Sequence, residues 1–512
     1  MAVNYLRTGL ELLDDPESWN SQYELTRSLY KAIAEAEYLN GNFAQAKKYL
    51  DVGLTYSRSN VEKAELYKIL IIQYTLMAAY AEAIETGIHA LSLLNFNLKL
   101  ENLEATIQYK MAEVQKELAN RSVDSLLHLP KISDPEQEMA IKLLISLAPP
   151  TYITASPLYA LVSVKAVELS MHYGNVAESA KAYANYGFLV GSSLGNYQLG
   201  YQLGVLAVDL SQKFGSDSQK CQACLLLASW IAPWCQPMKG LEQINLEGYQ
   251  AGLKSGEIQF AGYNLFGNVS NKLIQGLSLP AILNDLNHYL SFALTSKNQL
   301  GIDVLFAIKK IIISLVGVDA DQIEKAIEGD KDMSDREFVN RCKSSDSLFA
   351  LTIYYICQMQ LCCITQDFAQ GILYINPTKK ILTSILGFTL SSEYYYYASL
   401  LMLNQPNWYL YLNEITKNQQ TISQWVTSCP KNFQHKLLLI EAEHARRNES
   451  ILEAMDLSDR AIALAKENEF IQDQALANEM AGYFYLDLGK EQPKFTSARV
   501  TLATIAGGLK PN

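Results

Sequence analysis

Residues 27–60 read RSLYKAIAEAEYLNGNFAQAKKYLDVGLTYSRSN, two helical periods separated by a breaker. Tyr30, Ile33 and Ala34 recur at the three- and four-residue spacing of one helix face. Gly41 and Asn42 interrupt that face, and Phe43, Ala46, Leu50 and Gly53 form the next one. A 34-residue unit of this kind is an antiparallel helix pair, and it carries small residues where the two backbones approach. Ala34, Gly41, Ala46 and Gly53 are the candidates for such crossing positions.

The register repeats downstream. Tyr67, Leu70, Ile71 and Tyr74 are followed by Tyr80, Ala83, Gly87 and Ala90, with Ala83, Gly87 and Ala90 as crossing residues. A third copy reads Gly195, Tyr197, Gly200, Gly204, Ala207, and a fourth reads Leu438, Ala442, Ala445, Ile451, Ala454, Ala461, with Gly248 and Ala251 as further candidates for crossing positions. The fold expected from this repetition is all-α: a right-handed superhelical solenoid of antiparallel helix pairs, tetratricopeptide-like.

Composition agrees with long ordered helices. Hydrophobic residues make up 49% of the 512 and charged residues 19%, with only 14 Pro and 27 Gly, whereas disordered or turn-rich chains carry far more Pro and Gly. The formal charge of −11, without any Lys/Arg-rich run, argues against nucleic acid and anionic lipid as partners. Met1 to Pro16 lacks the basic start and apolar middle of a secretion signal. The most apolar stretches, Ile302 to Val318 and Leu348 to Ile364, are broken by Lys309 and Lys310 and by Gln358 and Gln360, so they read as buried helices without membrane insertion. A cytoplasmic location, with reduced cysteines, is expected.

Prolines in Leu129 to Pro135 and Ala148 to Pro157 are expected to stop helices. They suggest a division into N-terminal repeats over 1–130, central repeats over 131–318 and C-terminal repeats over 347–512. Between the last two, residues 319–346 read as an acidic loop or weak helix. Asp319 to Glu337 holds eight acidic and three basic residues, a solvated face or a dock for a basic partner. The Tyr394 to Tyr397 run has strand propensity but lies within Leu382 to Leu403, an apolar run read as helical.

Candidate chemistry is sparse. Neither GxxxxGK[ST], GxGxxG in a strand–helix context, HExxH nor kinase signatures occur. Cys221 and Cys224 form a CxxC, yet zinc needs a second ligand pair and the six histidines are scattered; the pair reads as one buried helix face, and Cys357, Cys362 and Cys363 as core. Gly191, Ser192, Ser193, Leu194, Gly195 match GxSxG, a motif that needs a strand before its serine. Gly187, Gly191 and Gly195 stand four apart, which in an apolar segment would be a membrane-dimer motif and here reads as helix crossing. Asp14, Asp15 and Glu17 around Pro16 are the one acidic cluster offering a metal–diphosphate site, and they read better as a helix junction. The expectation is no catalytic, cofactor-binding or metal-binding residue, and no enzyme.

From Tyr5, Leu6, Gly9, Leu12 and Leu13 into Trp19, Gln22, Tyr23, Glu24 and Leu25, the chain resembles the helical region of cyanobacterial-type multidomain serine/threonine and histidine signalling kinases. The resemblance continues at Leu129, Pro130, Asp134 and Pro135, at Tyr173, Gly174 and Asn175, and at Tyr183 to Gly187. It is most specific from Glu247 to Gly256, with Phe260, Ala261 and Tyr263, and persists to about Gly489. Where that family tends to carry a His-Trp-Lys turn, this chain has Pro233, Trp234, Cys235, Gln236 and Pro237, and beyond Lys490 the expected aromatic helix is replaced by Phe495 to Asn512.

The resemblance implies that a kinase domain and a nucleotide-binding ATPase domain precede the helical region, with a sensor and a histidine kinase following. None of these catalytic domains is in this chain. The implied role is a non-catalytic scaffold or relay. Its partner would be a protein: kinase, ATPase or sensor domains supplied by another chain. Leu6, Leu10 and Leu13 form an apolar stripe on a helix that reads as the second of a pair, and they mark a docking end. The alternatives are a stand-alone regulator with a small-molecule ligand in the superhelix groove, a truncated remnant of a multidomain kinase, and an enzyme whose site would need a buried polar cluster in a pocket.

Overall fold

The computed structural model describes residues 2–13, 17–77, 79–98, 100–154, 156–316, 333–345 and 347–488. Among the described residues the chain is all-helical, with no strand and a single isolated parallel bridge between Lys131 and Asn175. Asp14, Asp15, the greater part of the acidic stretch and Phe495 to Asn512 lie outside the described residues. The chain divides into two compact units, Met1–Tyr186 and Gly187–Asn512, at a point inside the helix Ser179–Leu194.

In the first unit, consecutive helices joined by short turns pack in pairs: Tyr23–Leu39 with Phe43–Tyr56, Asn60–Leu76 with Tyr80–Leu93, and Pro135–Ile153 with Leu158–Tyr173. Short turns impose the antiparallel arrangement. Ala34, Ala46, Ala83 and Ala90 are fully buried. A Cβ added at Gly53 would come within 2.9 Å of a Leu66 methyl, and one at Gly87 would overlap the Leu147 side chain. Ser59 and Glu62 form a capping box that starts Asn60–Leu76, satisfying free amides that this helix end would otherwise leave bare.

Two expectations are corrected here. Gly41 is no crossing residue: it is exposed, has φ +79° and meets nothing within 4 Å. It ends Tyr23–Leu39 in the left-handed conformation that glycine adopts without strain. Pro149 and Pro150 do not stop their helix either, which runs from Pro135 to Ile153. Ala148 and Pro150 are buried in the core, and the Thr151 hydroxyl bonds Leu147 O at 2.7 Å. Core burial and this side-chain bond offset the backbone bonds that the prolines remove.

The second unit also pairs neighbours, Leu241–Ser255 with Ile258–Gln275, Leu348–Ile364 with Phe368–Ile381, and Pro430–Arg447 with Ile451–Glu467. The apolar stretches near 302 and 348 form the buried helices Gln299–Val316 and Leu348–Ile364. Tyr394 to Tyr397 lie in the helix Ser391–Leu403, preceded by a separate short 3-10 turn, Leu382–Ile385. Within the acidic stretch, Ser334 and Glu337 form a capping box at the start of the helix Asp335–Ser344.

Candidate functional site

In the first unit the residues that carry the resemblance meet. Asn175 donates from Nδ2 to Leu126 O (2.7 Å) and accepts at Oδ1 from Tyr183 OH (3.2 Å), while its backbone N–H bonds Pro130 O (2.8 Å). Gly174, at φ +109°, lies so close to Pro130 O that no Cβ fits. Tyr183 is wholly buried, so these sequence-distant residues form a structural knot. At the N-terminal end Leu6, Leu10 and Leu13 are half-buried, and Ala2–Glu11 packs against Tyr23–Leu39 through Gly9 and Leu29. Arg7 reaches the buried Glu37 carboxylate at 3.0 Å.

In the second unit Gly248, Gly252 and Cys221, Cys224 explain one another. A Cβ on Gly248 would overlap Asn264 and meet Cys224 Cβ at 2.8 Å; one on Gly252 would meet Cys221 Sγ at 2.8 Å. The CxxC pair therefore fills the closest crossing of three helices, Asp217–Leu226, Leu241–Ser255 and Ile258–Gln275. Burial pushes the Cys224 thiol up to about 12, the opposite of what a metal ligand or nucleophile needs. Ala251, Ala454 and Ala461 are buried, as are Gly200, Gly204 and Ala207. A Cβ on Gly200 would sit 2.6 Å from Gly187 O, and one on Gly204 2.9 Å from Leu227.

The turn from Pro233 to Pro237 joins distant segments of this unit. Asn271 Nδ2 takes Ala228 O (3.0 Å), the Thr389 hydroxyl takes Ser229 O (2.9 Å), and Trp234 Nε1 takes both Trp230 O (2.9 Å) and Gly387 O (3.0 Å). Three successive carbonyls are thus claimed by side chains, and Leu227–Ile231 widens into a π turn, as helices do where inserted groups compete for the ladder. Trp234 stacks on Phe433 with ring centres 5.6 Å apart and packs on Trp425 at 4.9 Å. Asn432 closes the junction: Nδ2 donates to Pro233 O (2.7 Å) and Gln236 O (2.8 Å), and Oδ1 accepts from Met238 N (3.2 Å). Segments about 200 residues apart are bound directly, which a stack held by nearest-neighbour contacts alone does not do.

One turn beyond Asn432, the same helix carries a buried cluster of charged and titratable side chains. Lys436 Nζ lies 2.7 Å from Asp473 Oδ2 and 3.0 Å from Glu393 Oε2, and His435 Nε2 lies 2.8 Å from Asp473 Oδ2. These four side chains are only 1–2% exposed. Lys436 also sits 4.5 Å above the Tyr396 ring, a favourable desolvated cation–π contact.

Burial alone would lower Lys436, but the carboxylates of Asp473 and Glu393 outweigh it and its pKa is raised. Burial likewise opposes ionised Asp473, and Lys436 and His435 overcome it, leaving Asp473 lowered. Burial wins at His435, which is lowered, and at Glu393, which is raised. The arrangement welds three helices, Ser391–Leu403, Pro430–Arg447 and Ile471–Asp487. Its four charged or titratable side chains are sealed from water.

Sequence reasoning did not find this cluster, because its members are dispersed between residues 393 and 473 and no local spacing joins them. A hint exists in Asn432, His435 and Lys436, which at three- and four-residue spacing share one face of the helix Pro430–Arg447. Ser193 is exposed in the last turn of Ser179–Leu194, without the strand-to-helix elbow of a GxSxG nucleophile. Among the described residues no three His, Cys, Asp or Glu are grouped to hold a metal ion, and no helix is long and apolar enough to cross a membrane.

No protein-family model matches the chain. Among curated proteins it is similar to the hybrid signal transduction histidine kinase G of Dictyostelium discoideum, at 20% identity over 348 residues, covering 62% of this chain and 10% of that protein. The chain thus spans about one tenth of the relative's length. This weak likeness relates part of the chain to signal-transduction kinases.

Proposed function

We propose that the chain is a non-catalytic, tetratricopeptide-like helical scaffold or relay segment that binds protein within a signal-transduction kinase assembly. The observation that carries the reading is the recurrence of antiparallel helix pairs and the close approach of neighbouring helices at small residues, Gly53 to Leu66, Gly87 to Leu147, Gly200 to Gly187 and Gly248 to Asn264. This is the construction that repeat proteins use to present extended binding faces. The likeness to a histidine kinase supports the signalling context. The partner is a kinase, ATPase or sensor domain carried on another polypeptide, and the charged, titratable cluster of the second unit serves cohesion rather than turnover.

The test is capture by the purified full chain from a cytoplasmic extract, with bound proteins identified by mass. Recovery of kinase, ATPase or sensor polypeptides, repeated with the reverse bait, supports the scaffold. A rise in melting temperature with small metabolites and no captured signalling protein favours the stand-alone ligand-binding regulator instead. Turnover that survives purification and disappears in a single point variant would sink the non-catalytic reading.

A further inference from the structure

The network around Lys436 does not balance if every carboxyl in it is ionised. Lys436 supplies one positive charge against Glu393 and Asp473, and His435 can add a second only by protonating Nδ1, which is buried without a hydrogen-bond partner. A doubly protonated His435 would bury an unpaired N–H, so its neutral form, with Nε2–H donating to Asp473, is the cheaper one. Two ionised carboxylates would then leave one net negative charge sealed from water, an arrangement that burial strongly disfavours.

The missing proton fits on Glu393, which of Lys436 and His435 meets only Lys436, whereas Asp473 Oδ2 meets both. Glu393 Oε2 accepts from Lys436, while its Oε1 lies 3.1 Å from Ser392 Oγ. Ser392 Oγ is also 2.9 Å from Thr389 O. A hydroxyl has one hydrogen. With Glu393 ionised, that hydrogen goes either to Oε1 or to Thr389 O, which also accepts from Ser392 N at 3.0 Å. With Glu393 protonated, Oε1–H donates to Ser392 Oγ and Ser392 Oγ donates to Thr389 O, so both oxygens of the acid are partnered, as Asp473 Oδ1 is not. Thr389 in turn holds Ser229 O of the π turn, so this chain of bonds runs from the charge network into that turn.

We infer that Glu393 is an un-ionised carboxylic acid at neutral pH, so that assembly of the second unit takes up one proton and its closure is a proton-linked lock. The other titratable groups facing it do not take over that role. Tyr396 and Tyr397 of its own helix and Cys357 and Cys363 of Leu348–Ile364 are all raised, burial being the first cause, and so stay neutral. Asp473 is held ionised by Lys436 and His435. On the remaining helices packed there, Lys379 and Glu414 pair with one another at 2.7 Å. A carboxyl raised in the folded chain stabilises fully below its ordinary value of 4.5, and that contribution is lost as pH rises through the raised value. Alkalinisation therefore loosens the lock.

Glu393→Gln tests this in the full chain, since the amide can accept from Lys436 and donate to Ser392 as the acid does. The expected result is a wild-type melting temperature that falls between about pH 5 and about pH 8 more steeply than that of E393Q, with E393Q at least as stable at the upper end. The infrared difference spectrum of wild type against E393Q at neutral pH should contain the carbonyl stretch of an un-ionised carboxylic acid. Loss of stability in E393Q at neutral pH, failure to fold included, or a carboxylate band in place of the acid band, overturns the inference.

Discussion

Replacing Lys436 by Met should be among the most damaging single changes available to this protein. The methionine fills a similar volume and keeps the apolar contacts over Tyr396, but Asp473 loses its 2.7 Å cation and Glu393 its 3.0 Å donor. Breaking a buried pair from one side costs about 3–5 kcal/mol, because the stranded charge stays desolvated. At roughly 2–4 °C per kcal/mol for a large domain, the thermal midpoint of the second unit drops by about 6–20 °C. Far-UV circular dichroism on heating, or urea titration with an unchanged slope, measures it. The deficit should shrink on acidification. Asp473 is lowered in the folded chain, so it stabilises above its ordinary value of 3.8 and that contribution fades as pH falls through the folded value; without Lys436, protonation comes earlier and relieves the stranded charge. Adding Asp473→Asn to the same chain should restore most of the loss at neutral pH. A cost under about 1 kcal/mol for Lys436→Met, the size typical of exposed pairs, would refute the claim that these charges are sealed from water.

Asn432→Ala strands two carbonyls and the Met238 amide; the expected loss is about 2–4 kcal/mol, with faster amide exchange over residues 233–241, and unchanged exchange there would remove Asn432 from its clamping role. Gly200→Ala forces a Cβ to 2.6 Å from Gly187 O and should destabilise by about 2–3 kcal/mol. Gly191→Ala, where the nearest atom is Tyr197 Cδ1 at 3.4 Å, should be neutral or stabilising by up to about 1 kcal/mol; denaturant midpoints that rank the two glycines equally contradict the crossing geometry. Burial pushes the thiols of Cys224, Cys235 and Cys357 up to about 12, so alkylation of the native chain near neutral pH should be slow and should begin at half-buried Cys235. Rapid labelling of Cys221 and Cys224, or protection of the pair by zinc, would return the CxxC to the list of metal sites.

Local structure was legible wherever one helix face meets its sequence neighbour. Tyr30, Ile33 and Ala34, and then Ala46, Leu50 and Gly53, are three or four residues apart because contacts on one helix face obey that spacing. The same holds for the burial of Cys221 and Cys224. Gly41 was misread because small residues serve two purposes, close approach and left-handed termination, and a one-dimensional pattern does not separate them. Pro149 and Pro150 were misread for a related reason: the rule that proline ends a helix is local, whereas the burial of Ala148 and Pro150 that overrides it is tertiary.

The all-α class and the paired helices are thus properties of the sequence alone, since hydrophobic periodicity and breaker residues act over a few positions at a time. Only the tertiary structure decided where the second unit closes and what its polar interior does. Trp234, Asn432, Glu393, Lys436 and Asp473 belong to distant segments, and what brings them together is the summed burial of many apolar side chains rather than any spacing among themselves. Each would be unremarkable on a helix surface in water. Packed beyond the reach of solvent, where unpaired charges and unmade hydrogen bonds are expensive, they hold the unit closed.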